Sequence, residues 1–573
     1  MKDVVTEVLD AAAGAPRHVA IIDQRGARLT YGELERRVRA GSEAMAGLRP
    51  GEAVLFATRP GPDAVVLALG AVAAGGMLVL VDPGLAPEVA AGRLALAPPS
   101  WVVADALAYT LSGPLRGLAR RRGLTLPRLA EPIPGRAVRH LYAGRWLPGV
   151  PRGALALHSL PGYQAPPHTP AALSGAESPH ARTAPHDPAV PHGPAAAHDP
   201  TAPYDPAAGH RLGTAQTPTP PYLHAEHRDD PDGRHRPPTA APSRPGSAVL
   251  GEQPAVVVFT SGTTGRPRGV VHTRGSLAEG SALFRSAVPL APGDVVHTDQ
   301  LMLGLPALMA GATWSLPGGR PFAREVAERE ATHAFCVPVR LDRILREDPR
   351  LPDTLRHLLL GTAPSPPAVL RRARAAAPRA DIRSVYAMTE ALPIAIATAE
   401  EKLACPEGDL LGTPLPGVAA RIADDGELHV SGPQLARGYL GEPPLREVAT
   451  GDLARLDEHG RLVLLGRKKD MILRDGVNIY PGLYEPALAA LPGVAEAAIV
   501  GVTDPATGDE EVVLAVRPDD GFDPAALRRA VPGLVDAGAL PDRVAVLDAF
   551  PRTGRTDKLD RARLRAAVAR GRP

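Results

Sequence analysis

The stretch FTSGTTGRPRG, residues 259–269, sets the strictest terms for how this chain can fold. It follows Ala255-Val256-Val257-Val258, the pattern of a buried strand, and precedes a helix predicted to open near Ser276. It is therefore expected on a strand-to-helix loop, a place where backbone N–H groups can cradle an anion. Gly262, Gly265 and Gly269 let the backbone approach phosphate oxygens closely, Thr260, Ser261, Thr263 and Thr264 add hydroxyl donors, and Arg266 and Arg268 add charge. The loop is not of the Walker type, because no Gly-Lys-Ser/Thr follows at the required spacing and Pro267 lacks an N–H.

The flanking sequence supplies the units such a loop needs. Val19-Ala20-Ile21-Ile22, a turn at Gly26 and Leu29-Thr30-Tyr31 predict a strand pair running into a helix. Strand-like Ala53-Val54-Leu55-Phe56, a helix over 63–73 and a strand over 77–81 then follow in the order of a parallel sheet with crossover helices. Further strands are predicted at Asp294-Val295-Val296, Ala334-Phe335-Cys336-Val337 and His357-Leu358-Leu359-Leu360, with helical patterns over 301–312 and 339–346. The fold class is α/β.

Between about 147 and 247 this alternation fails. The segment is rich in Pro, Ala, His and Gly, with few clustered aliphatic residues to offset the entropy of ordering, and reads as a disordered Pro/His-rich insertion. His180, His186, His192, His198 and His210 recur at six-residue steps or twice that. Prolines would hold such units extended and spread the histidines, so a low-complexity repeat is favoured over a metal-binding tract.

Composition narrows the function classes. Across 573 residues, 64 Lys plus Arg against 62 Asp plus Glu leave no global basic field for nucleic acid or a membrane surface. Cys336 and Cys405 show no paired spacing, so neither a disulfide framework nor a cysteine metal site is indicated, and a reducing cytoplasm is expected. Asp3, Glu7 and Asp10 speak against a signal peptide, and Gly70, Gly75 and Gly76 break the apolar run over 64–81 into a buried helix and strand rather than a membrane span.

Four further clusters carry chemistry. Tyr386-Ala387-Met388-Thr389-Glu390 offers an aromatic face for a base, a hydroxyl for phosphate and a carboxylate suited to Mg²⁺. Thr450-Gly451-Asp452 offers a carboxylate able to accept two hydroxyls, and Gly466-Arg467-Lys468-Lys469-Asp470 concentrates cations. Near the C-terminus, PRTGRTDKLD contains Lys558.

In this order these motifs resemble those of the adenylate-forming superfamily, which includes acyl-CoA synthetases, peptide-synthetase adenylation domains and firefly luciferase. The resemblance spans the chain apart from the insertion. It implies a large N-terminal adenylating domain with parallel-sheet layers, residues 1–467, and a small mobile α+β C-terminal domain, residues 468–573. It also implies ATP and Mg²⁺, a small-molecule carboxylic acid, and coenzyme A or carrier-protein phosphopantetheine as acyl acceptor; an acyl carrier protein is then a conceivable partner.

Residue by residue, the resemblance assigns the triphosphate to Thr260, Ser261, Gly262, Thr263, Thr264, Gly265 and Arg268, the last standing where the family usually has lysine. Adenine is assigned to Gly361, Thr362, Ala363, Pro364 and Tyr386, and the ribose to Asp452 and Arg467. Thr389, Glu390 and Lys558 are the implied catalytic residues, Glu390 also the Mg²⁺ ligand and Lys469 the hinge. Gly476 would lie on a loop that enters the site for the second half-reaction. Gly304 stands where acyl-CoA synthetases often carry a His or aromatic residue, which would enlarge the acyl pocket or remove a lid. Ala387 replaces the family's Gly, and Asp557 replaces the Gly before its lysine. An apolar acid is the expected substrate. Two other readings stay open: a β-lactone synthetase acting on a 3-hydroxy acid, and a nucleotide-binding homologue with weakened turnover.

Overall fold

The computed structural model describes residues 3–81, 87–122, 124–133, 135–163, 250–260, 268–405, 408–474, 477–503, 510–553 and 557–570. Among them the strands form a thirteen-stranded and an eight-stranded sheet, with a separate three-stranded sheet and short hairpins toward the C-terminus. Each large sheet has a parallel core, as βαβ units require; the thirteen-stranded sheet continues antiparallel on both sides of it and the eight-stranded sheet on one side.

The N-terminal elements follow local patterning closely. Strands Val19–Ile22 and Arg28–Thr30 pair antiparallel, and Thr30 caps the helix Tyr31–Ala44 through a capping box with Glu33. The buried Tyr31 hydroxyl donates to the carbonyls of Leu308 and Ala312 at 3.0 and 2.7 Å, tying this helix to Leu301–Met309. Helix Pro62–Ala73 and strand Met77–Leu80 are the buried pair expected from the glycine-broken apolar run. No described helix is long and apolar enough to cross a membrane.

Three expectations need correction. The strands on either side of residues 261–267, Pro254–Thr260 and Arg268–Thr273, pair antiparallel, so the first strand is followed by a second strand rather than directly by a helix. The helix expected near Ser276 opens at Arg274, capped by Thr273. Val270 and Val271, two adjacent β-branched residues, are the local signal for the intervening strand.

The order also persists past 147. Leu155–Ala156 pairs parallel with Arg139–Ala143, Leu157 is buried, and the Tyr163 hydroxyl donates to Asp63 Oδ1 at 2.5 Å. Isolated apolar residues spaced among Pro and Gly dock individually, and no window average reveals them. Residues 164–249, which hold the histidine repeat, lie outside the described residues.

Gly304, finally, does not open space. A Cβ there would stand 2.1 Å from Trp314 Cε2, because the indole lies on the helix backbone and donates from Nε1 to the Thr298 carbonyl at 2.9 Å. The room left by the missing side chain is filled by a residue ten positions on, from the strand Thr313–Ser315. Gly304→Ala is expected to lower unfolding stability by about 3 kcal/mol through overpacking of this buried site. Chemical denaturation reads the effect, and an unchanged midpoint would contradict the contact.

Beyond Lys468–Asp470, strands Val494–Thr503, Glu510–Pro518 and Arg543–Val546 form the three-stranded sheet. Arg346, on the helix Pro338–Glu347, forks onto Asp519 at 3.0 and 2.9 Å and joins this C-terminal part to the large sheets. That hydrogen-bonded pairing draws the Asp519 carboxyl down to about 2.

Candidate active site

The site is organised by a tight hairpin. Strands Asp381–Met388 and Ala391–Thr398 pair antiparallel, which leaves Thr389 and Glu390 in the turn between them. Parallel pairing sets Gly361, the end of His357–Gly361, opposite Val385, so the loop carrying Thr362, Ala363 and Pro364 starts beside Tyr386. Thr362 has φ +66°, a left-handed conformation in which a β-branched residue is strained. Such strain held beside an expected adenine site marks a loop whose shape is imposed by its surroundings.

The ribose-binding expectation concerns the next two strands. Asp452 on Val448–Leu456 stands directly opposite Arg467 on Leu462–Arg467 in the antiparallel register. Arg467 Nε lies 2.6 Å from Asp452 Oδ1, and the Tyr386 hydroxyl donates to Asp452 Oδ2 at 2.7 Å. Asp452 is only 3% exposed. Burial pushes its carboxyl above the ordinary aspartate value, opposed chiefly by the Arg467 charge. A carboxylate offers about four lone-pair sites, so two acceptor positions remain for ligand hydroxyls.

Lys558 reaches the same cluster from the C-terminus. It lies on the hairpin of Arg552–Thr553 with Lys558–Leu559, entered through Asp557 at φ +54°. Aspartate is among the side chains that best tolerate this region, so the residue standing in for glycine keeps the turn. The Lys558 ammonium is held below the ordinary lysine range by partial burial and by the cations Arg467 and Lys469, with Asp452 acting in the opposite direction. The structure thus brings Tyr386, Asp452, Arg467 and Lys558, drawn from far-separated parts of the chain, into one electrostatic neighbourhood.

A second group meets Glu390, which is 8% exposed. The Tyr439 hydroxyl donates to Glu390 Oε1 at 2.9 Å, and Oε2 accepts no hydrogen bond among the described residues. A buried hard-oxygen ligand with one oxygen pinned and the other available fits Mg²⁺ shared with substrate phosphates. Arg268 Cζ lies 3.4 Å from the Tyr439 ring centroid, and Arg268 Nη2 reaches Glu442 at 3.1 Å. Thr260 and Arg268 are cross-strand partners. Ser261, Gly262, Thr263, Thr264 and Gly265, and likewise Gly476, lie outside the described residues.

Sequence reasoning missed two members of this group. His272, 2% exposed, donates from Nε2 to the Thr389 carbonyl at 2.7 Å and so pins the hairpin turn from below. Burial pushes its imidazole below the ordinary histidine value, which keeps it neutral. A histidine within the apolar strand VVHT was the available signal. Tyr439 had none, because the two-residue strand Gly438–Tyr439 acquires meaning only through its pairing with Val270 and Val271.

Comparison with known proteins fits this geometry. The family model described as AMP-binding enzyme matches residues 8–440, and that described as AMP-binding enzyme C-terminal domain matches residues 484–556. The 2-succinylbenzoate–CoA ligase of Geobacillus kaustophilus is 30% identical over 352 residues, which cover 55% of this chain and 70% of that protein. The mitochondrial medium-chain acyl-CoA ligase ACSF2 of Macaca fascicularis is 27% identical over 55% of this chain and 57% of its own length. The match to the Bacillus velezensis 2-succinylbenzoate–CoA ligase, at 30% identity, likewise spans only 59% of that relative. Among solved structures, the amide bond synthetase McbA from Marinactinospora thermotolerans superposes with a TM-score of 0.70 at 23% identity, covering 99% of both chains. ATP-bound MatB from Rhodopseudomonas palustris gives 0.69 at 21% identity, covering 99% of this chain and 98% of that one. At these identities the structural likeness speaks for the fold.

Proposed function

Since the chain belongs to the AMP-binding enzyme family, we propose that it activates a carboxylic acid as its acyl-adenylate and passes the acyl group to the thiol of coenzyme A or of a carrier-protein pantetheine. The observation that carries this reading is the convergence of Lys558 on the Tyr386–Asp452–Arg467 cluster. No protein nucleophile is needed for such a reaction; positioning and charge neutralisation supply the catalysis.

In the first half-reaction an oxygen of the acid attacks the α-phosphorus and the bond to pyrophosphate breaks. Asp452 and Arg467 hold the ribose, Tyr386 and residues 361–364 flank adenine, and Thr389 donates its hydroxyl to the α-phosphate. Lys558 bridges the acid carboxylate and the α-phosphate, where negative charge gathers. Mg²⁺, held by Glu390, supplies further neutralisation of the phosphate charge when bound. In the second half-reaction the small domain, read as residues 468–573, turns about Lys469; a thiolate attacks the acyl carbon and AMP departs.

An apolar acid is the substrate class that the family resemblance brings to this reading. Leu305 and Met309, on the helix that carries Gly304, pack in the core with Trp314. Acid-dependent exchange of pyrophosphate into ATP across a panel of acids, followed by mass spectrometry with and without coenzyme A, tests the whole reading. A thioester formed only with coenzyme A supports it. A β-lactone from a 3-hydroxy acid, or nucleotide binding without exchange for any acid, replaces it.

A further inference from the structure

We propose that Tyr439 is a positioning residue for the Glu390 carboxylate, and that Arg268 acts by holding the Tyr439 ring rather than by binding phosphate; the inference rests on the adenylating function proposed above. Tyr439 is stitched to both halves of the site. It pairs with Val270 across the strand that leaves the glycine-rich loop, Leu440 N–H donates to the Gly269 carbonyl at 2.8 Å, and Ala436 N–H donates to the Glu390 carbonyl at 2.8 Å. A displacement on either side is therefore felt at this phenol.

A phenol has one proton to give, and here it goes to Glu390 Oε1 at 2.9 Å. The terminal torsion of a glutamate is broad and roughly two-fold, so an unpinned carboxylate samples many orientations. Fixing Oε1 confines Oε2 to one direction. Because Glu390 is buried, water is a poor substitute for the lost donor, and the hydroxyl controls how ready the carboxylate is to take a hard cation.

Arg268 completes the arrangement. Its guanidinium lies 3.4 Å from the Tyr439 ring centroid, well within the roughly 6 Å reach of a cation–π contact. Its Nη2 is shared between the two oxygens of Glu442, at 3.3 and 3.1 Å. The Arg268–Glu442 pair is largely exposed and contributes little to stability, so its consequence is orientation: it keeps the guanidinium flat against the phenol. An ammonium cannot stack in this way, which gives a physical reason for arginine at a position where the resembling family carries lysine.

The test compares wild type, Tyr439→Phe, Arg268→Ala and Glu390→Gln for Mn²⁺ affinity by electron paramagnetic resonance at saturating α,β-methylene-ATP. Calorimetry of the same nucleotide in EDTA provides the metal-free control. Tyr439→Phe keeps the ring and is expected to weaken Mn²⁺ binding about tenfold, the scale typical of groups that orient a metal ligand. Metal-free nucleotide affinity should stay within about twofold, and the Mg²⁺ concentration giving half-maximal pyrophosphate exchange should rise in parallel. Arg268→Ala is expected to give the same pattern, with the double variant no worse than either single one. Unchanged Mn²⁺ affinity in Tyr439→Phe, with Glu390→Gln weakened, overturns the positioning role alone. Unchanged affinity in Glu390→Gln overturns the metal assignment and the inference with it. Loss of metal-free nucleotide binding in Arg268→Ala, persisting in the Tyr439→Phe background, overturns the role given to Arg268.

Discussion

Replacing Lys558 by alanine should lower acid-dependent pyrophosphate exchange by two to three orders of magnitude, on the order of the loss seen when one donor to a developing oxyanion is removed. Three features set the size of the effect. The ammonium is the charge that the C-terminal hairpin brings to the Asp452–Arg467 cluster, it is partly withdrawn from water, and two other cations crowd it. A bound anion therefore meets a cation that is incompletely neutralised by the protein. The melting temperature should barely move, because a partly buried ammonium beside two other cations adds little to the stability of the fold. Conversion of a preformed acyl-adenylate to thioester should survive, since that step does not need the charge between acid and phosphate. Exchange within about tenfold of wild type would remove Lys558 from the mechanism. As the ammonium titrates below the ordinary lysine range, the wild-type rate should also fall on the alkaline side sooner than an unperturbed lysine would dictate.

Asp3→Ala should cost about 3–5 kcal/mol of unfolding free energy, although the residue lies far along the chain from every motif. Asp3 caps the helix Val4–Gly14 and accepts from Arg274 Nε at 2.6 Å, with the two side chains 3% and 5% exposed. Removing the carboxylate leaves a guanidinium buried without its counter-charge, at the first residue of the helix that follows the strand Arg268–Thr273. The sign of the pH dependence follows from the native pKa. Burial alone would raise the Asp3 carboxyl, but hydrogen bonds from Arg274 and Thr6 and the Arg274 charge bring it below the ordinary value. The pair therefore stabilises fully above the unfolded-state pKa of about 4 and loses its contribution as pH falls through the lower native one. Urea unfolding of both proteins at neutral pH measures the cost. A difference under about 1 kcal/mol would mean that water or rearrangement satisfies Arg274.

Most of the element order was legible beforehand, because strand and helix periodicity is a local property. Val19–Ile22, Ala53–Ala57, Pro62–Ala73, Pro338–Glu347 and His357–Gly361 fall where patterning predicts them, within a residue or two. The candidate site was named from sequence because nucleotide chemistry uses few residue types in a recurrent order, and of those residues the structure brings Tyr386, Asp452 and Arg467 into contact with Lys558 nearby. What stayed hidden were the partners. Tyr439 lies 49 residues from the carboxylate it hydrogen-bonds, and His272 lies 117 residues from the carbonyl to which it donates. Neither has a local reason to be singled out.

By itself, then, the amino-acid sequence determined the α/β class and the family. Those properties depend on composition and spacing within short windows. Only the tertiary structure decided that the strands flanking the glycine-rich stretch pair antiparallel, that Trp314 fills the place beside Gly304, and that Arg268 lies on a phenol. Such outcomes depend on which distant surfaces share the same few ångströms. Close packing and hydrogen-bond satisfaction choose among alternatives that local sequence leaves equal.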